Sequence, residues 1–132
     1  MDEKTLEILE FSEIRKIIAG YASFSASYEL ALELNPLSSF DEGSLRLRQS
    51  AEARHVLTVD PDFTVSGASD VREAVKLAAK GKILDPMSLV EIQRTVTAMR
   101  QVRNSLRCIS KEVQLLWDIA KDIVELPDLE KE

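Results

Sequence analysis

A chain of 132 residues fits one ordinary domain and is long enough to bury about two-thirds of the surface its unfolded form exposes. Hydrophobic residues make up 45% of it but aromatics only 5%, so a core must be built from Leu, Ile, Val and Ala, which suits packed helices better than a β-sandwich. A formal net charge of −6 excludes a wholly basic nucleic-acid-coating protein, and charges recurring every few positions exclude the ~20-residue apolar run of a membrane span.

Apolar spacing is helical almost throughout. Ile14, Ile17, Ile18 and Tyr21 fall on one face of a helix expected over 12–22, with Ser12 as its N-cap. The serine-rich stretch 23–27 is expected to break the chain, and strong helix formers then run over 28–34 until Asn35 and Pro36 stop them. A third helix is expected over 41–57, with Leu47, Ala53, Val56 and Leu57 inward. Pro and Gly punctuate 60–69, which reads as turn and loop and as the best internal hinge.

Asp70 with Glu73 three residues on resembles a capping box, opening a short helix with Val71, Ala74, Val75 and Ala78 inward and ending before Gly81. Asp85 followed by Pro86 is a strong start signal, because proline at the first helical position gives up an N–H that had no partner anyway. The long helix that follows has Leu89, Ile92, Val96, Met99, Val102, Leu106 and Ile109 as its inward row. Ser110 is the expected cap of a last helix facing inward with Val113, Leu116, Trp117, Ala120 and Val124. The fold class expected is therefore all-α, an antiparallel multi-helix domain over 1–126, followed by an acidic linker or cut end over 127–132.

Catalytic chemistry finds little here. A phosphate-cradling P-loop needs glycines ahead of Gly-Lys-Ser/Thr, whereas Gly81-Lys82 is followed by Ile83 and has no glycine at the required distance. One histidine and one cysteine, far apart in sequence, make a zinc site improbable. His55, among charged neighbours on a helix, reads as a surface or boundary residue. Cys108, beside the apolar row, reads as a small buried hydrophobe, and Trp117 reads as core. No catalytic, cofactor-binding or metal-binding residue is assigned. The lone cysteine and the absence of a secretion-signal pattern at the N-terminus make the cytoplasm the expected compartment.

One feature stands against the acidic background. Between positions 86 and 111 lie five basic residues, Arg94, Arg100, Arg103, Arg107 and Lys111, and one acidic residue, Glu91. The last four basic residues recur at helical spacing, so they are candidate contacts for nucleic-acid phosphates. The alternatives are a solvated face, or pairing with acidic helices of the same chain or a partner.

The run Lys4-Thr5-Leu6-Glu7-Ile8-Leu9-Glu10-Phe11, then Ile14, Ile17-Ile18, Tyr21-Ala22 and Glu29-Leu30-Ala31-Leu32-Glu33-Leu34-Asn35-Pro36, resembles the opening of bacterial MutS proteins of the second type. The similarity continues through Glu52-Ala53-Arg54, Asp70-Val71-Arg72, Lys80-Gly81 and Leu84-Asp85-Pro86 to Leu126-Pro127, and so spans the chain. It departs from the pattern in the serine cluster at 23–27, in Gly43 and in the single glycine of Ser66-Gly67-Ala68.

The resemblance implies the start of the family's helical core and lever region, with no mismatch-recognition domain ahead of it. Lever helices, a clamp, a dimerising ATPase domain and a small nuclease domain would follow and serve as its packing partners. It further implies a homodimeric parent that uses ATP and Mg to engage branched DNA, nicking it and suppressing recombination, and in some members to engage ribosomes. No cofactor is expected within these residues, and no membrane partner. The competing expectation is a stand-alone helical protein-interaction domain without a nucleic-acid role.

Overall fold

The computed structural model describes residues 3–23 and 25–127. Among them are seven α-helices and no strand: α1 Glu3–Ile8, α2 Phe11–Ala19, α3 Ser25–Leu32, α4 Phe40–Val59, α5 Arg72–Ala79, α6 Pro86–Cys108 and α7 Gln114–Ala120. The all-α expectation holds. The expected acidic linker lies, apart from Pro127, outside the described residues.

The chain divides into two compact units, Met1–Ser44 and Leu45–Glu132, with the boundary inside α4. The stretch 60–69, expected as the hinge, lies within the second unit.

In the first unit α2 begins earlier than expected. Glu10 adopts the left-handed conformation (φ 51°) and turns the chain between α1 and α2, so Ser12 sits inside the helix and caps nothing. The serine stretch delays helix formation less than expected, because serine is tolerated in a first turn, and α3 starts at Ser25. Ala19 of α2 and Ala31 of α3 are buried, small residues where two helices meet closely. Arg15 clasps the pair: it stacks over Phe11 at 5.0 Å and donates from Nε to the Leu34 carbonyl and from its terminal nitrogen to Asn35 Oδ1 at 2.7 Å.

The second unit holds the larger core, with Val56, Leu106, Val113 and Ala120 buried and Phe63, Val102, Ile109, Leu116, Trp117 and Ile123 packed around them. Val56 is the inward residue of α4 as expected, whereas Leu47 and Leu57 are exposed at 72% and 55%. Within α6 the buried row is Thr95, Ala98 and Leu106, with Val102 half-buried between them. Leu89 and Met99, expected inward, are largely exposed. A threonine does not announce itself as core, but its buried hydroxyl is satisfied here: Thr95 Oγ1 donates to the Glu91 carbonyl at 2.8 Å and accepts from the Ser69 N–H at 2.9 Å.

Helix ends show where local signals hold and where distant groups replace them. The Asp85 carboxylate accepts from the Ser88 N–H at 3.0 Å with Pro86 in the first turn, as expected, and Gly81 (φ 73°) closes the turn after α5 in the left-handed conformation that favours glycine. Bonds from the Ser88 hydroxyl and then its N–H hold the Asp85 carboxyl below the ordinary aspartate value.

The capping box expected at Asp70 and Glu73 does not form. Asp70 is bound by the Arg72 guanidinium and N–H, while Glu73 takes Lys76 at 2.7 Å, so α5 opens without a side-chain cap. Ser110 does not cap α7 either. Its first-turn amides, Leu115 N–H at 3.2 Å and Leu116 N–H at 2.9 Å, donate to the Glu52 carboxylate of α4. A partner that distant in sequence cannot be seen in local spacing.

Hydrogen bonds from the Arg72 side chain, and then from its N–H, lower the Asp70 pKa from 3.8 to about 2. A depressed carboxyl stabilises the fold above its unfolded value, and that contribution is lost as pH falls from 3.8 toward 2. An NMR titration of the Asp70 carboxyl carbon is expected to show a midpoint near 2 that returns toward 3.8 in Arg72→Ala. An unchanged midpoint in that variant would remove the ion pair as the cause.

Candidate nucleic-acid interface

The five basic residues between 86 and 111 do not share one face. At roughly 100° per helical residue, Arg94 points about 180° away from Arg103, while Arg100, Arg103 and Arg107 stay within about 60° of each other. Lys111 lies beyond the end of α6, in the turn leading to α7.

Arg103, a candidate phosphate contact for which pairing within the chain was the alternative, is drawn into the fold. Its guanidinium pairs with the Glu125 carboxylate and stands 5.8 Å over the Trp117 ring, and its side chain is only 22% exposed. Its Nε is buried without a hydrogen-bond partner. The cause lies in the packing of α6 against α7, which places an aromatic face and then a carboxylate beneath this one position. Arg100 is half-buried and also has a partner in the chain. Arg94, Arg107 and Lys111 are exposed and make no ion pair among the described residues.

The remaining singled-out residues fall outside any catalytic arrangement. His55 is exposed, as expected, with Nε2 2.7 Å from Glu112 Oε2. Cys108 is exposed, not buried, because it lies two residues past Leu106 and so on the far side of the helix from the core. Trp117 packs on the core beneath Arg103. Among the described residues no three His, Cys, Asp or Glu side chains converge as metal ligands, and no helix is long and apolar enough to cross a membrane.

Two features escaped the sequence reading. Glu52 as the distant cap of α7 left no local trace. A groove between the 64–69 loop and α6 brings Arg94 beside Ser66 and Gly67, and the only hint of it in the sequence was a lone glycine flanked by small residues.

No family model matches the chain, and no solved structure does. Curated sequences do. Over 100% of its length the chain is 33% identical to Endonuclease MutS2 of Geobacillus thermodenitrificans. It is 28% identical, over 99% of its length, to Endonuclease MutS2 of Pelotomaculum thermopropionicum, and 28% over its full length to Putative endonuclease MutS2 of Bacillus subtilis. The chain is thus similar along its whole length to proteins named MutS2. It spans 17% of the length of each of these relatives. The resemblance read from its opening helices and turn residues is thus borne out. The chain is accordingly a module, helical throughout its described elements, that resembles part of MutS2-type proteins.

Proposed function

We propose that this module is a structural scaffold of a MutS2-type parent that engages branched DNA or ribosomes in an ATP-dependent manner and suppresses recombination. The observation that carries the reading is the end-to-end alignment with relatives named endonuclease MutS2. On this reading the parent binds ATP and Mg and cuts DNA at sites outside these residues, works as a homodimer in the cytoplasm, and packs its lever, clamp and ATPase domains after this module. The module's own share is to hold helices in register and to present unpaired cations to phosphates.

Those cations are Arg107 and Lys111 at one end of α6 and Arg94 nearer the other, since Arg103 is committed to Glu125 and Trp117. In the full-length parent, reversing Arg107 and Lys111 to glutamate is expected to reduce the salt slope of log affinity by roughly two units, since each phosphate contact contributes about 0.9. Binding of labelled branched DNA, and of ribosomes, measured across salt concentrations with and without ATP, checks it. A wild-type parent that binds neither polymer would sink the reading.

A second reading, a helical protein-interaction domain, draws on the apolar side chains exposed in the first unit, Ile17 at 64%, Tyr21 at 87% and Phe40 at 86%. It is favoured if the parent binds no nucleic acid yet loses a protein partner when Ile17 and Tyr21 are replaced by Ser.

A further inference from the structure

The buried row of α6 separates two flanks. Arg103 stands on one. On the other, positions 94, 97 and 101 fall within about 60° of one another, which aligns Arg94, Thr97 and Gln101. Facing them is the loop 64–69, fixed at one end by the Ser69 N–H donating to Thr95 Oγ1 at 2.9 Å and shaped within by the Thr64 hydroxyl donating to Ser66 Oγ at 2.7 Å. Gly67 has φ 92°, a left-handed conformation that a side chain would strain, so the loop's course there depends on glycine.

Between loop and helix lies a groove of about 270 Å³ bordered by Ser66, Gly67, Gln93, Arg94, Thr97 and Gln101, with Ala98 as its apolar floor. Its volume is at the small end for ligand cavities, more than an ion requires and less than a large cofactor needs.

The polar side chains of this lining share one character. A guanidinium, the Gln101 amide and two hydroxyls can donate hydrogen bonds, and among the described residues no carboxylate borders the groove. The Ser66 hydroxyl accepts from Thr64 and keeps its own proton to give. Arg94 makes no ion pair among the described residues, although the chain as a whole is acidic. An exposed cation beside neutral donors suits an anion with several oxygens, and the guanidinium fork matches two phosphate oxygens at once.

We infer that this groove receives a phosphodiester group of the nucleic acid, with Arg94 as its charge partner and Ser66, Thr97 and Gln101 as neutral donors. The inference rests on the proposed engagement of a nucleic acid and gives it a specific place on α6, on the opposite side from Arg103. The phosphodiester is common to DNA and RNA, so the groove serves either polymer.

The test uses the full-length parent, labelled branched DNA, and in a second arm ribosomes. Arg94→Gln is expected to weaken binding by roughly three- to tenfold and to lower the salt slope by about 0.9 on duplex DNA. Arg94→Lys is expected to keep the slope, because a point charge remains, and Gln101→Ala to weaken binding with the slope unchanged. Loss in one arm only identifies the polymer. If Arg94→Gln disturbs the fold, seen as lost helicity, Arg94→Lys and Gln101→Ala carry the test. A wild-type parent that binds while Arg94→Gln and Gln101→Ala bind equally well with the same slope overturns the groove and leaves the proposed function standing. A wild-type parent that binds neither polymer overturns both.

Discussion

Arg103→Glu is expected to destabilise the second unit by about 2–3 kcal/mol, read as a lower urea midpoint at unchanged m-value. Stacking of a partly desolvated guanidinium on tryptophan contributes up to about 2 kcal/mol, and the ion pair with Glu125, 42% exposed, adds less than about 1 after screening. The variant also sets one carboxylate against another. Adding Glu125→Arg should recover the ion pair but not the stacking on Trp117, leaving a deficit of about 1–2 kcal/mol. Arg103→Gln in the parent should leave the salt slope of nucleic-acid binding unchanged. A lowered slope with an unmoved urea midpoint would return Arg103 to the phosphate-contacting set.

Glu52→Ala is expected to cost about 1.5–3 kcal/mol, the range for hydrogen bonds to a charged group, held to one bond's worth because the site is half-buried. Two amides of the α7 first turn lose their acceptor together. Hydrogen exchange should quicken most at Leu115 and Leu116, and Glu52→Gln, which keeps one acceptor oxygen, should fall between the two. Exchange that quickens evenly across the second unit would mean that Glu52 acts through general packing and not as a cap.

The sequence was most legible where structure is local. Asp85 and Pro86 mark the start of α6 because both act on amides within one turn, and Gly81 marks the end of α5 because only backbone freedom is needed there. Inward faces were less legible. The apolar row drawn along α6 strayed at Met99, since Thr95 and Ala98 occupy the interior and neither is strongly hydrophobic.

The candidate site was legible as composition and not as geometry. Spacing gathers Arg100, Arg103 and Arg107 on one stripe, but whether a stripe meets solvent depends on what α7 brings across, here Trp117 and then Glu125. The place of Arg94 depends on a loop about 30 residues earlier in the chain.

The distant cap of α7 also sets an order of events during folding. A seven-residue helix is far below the ~12–15 residues that hold together in isolation, so α7 cannot persist before its tertiary partners arrive. Its capping carboxylate lies 63 residues from Leu115, and α4 is complete long before α7 is synthesised. α7 is therefore expected to be added late, once Glu52 of α4 and the facing side of α6 are in place. Substitutions confined to it should speed unfolding while leaving the folding rate almost unchanged.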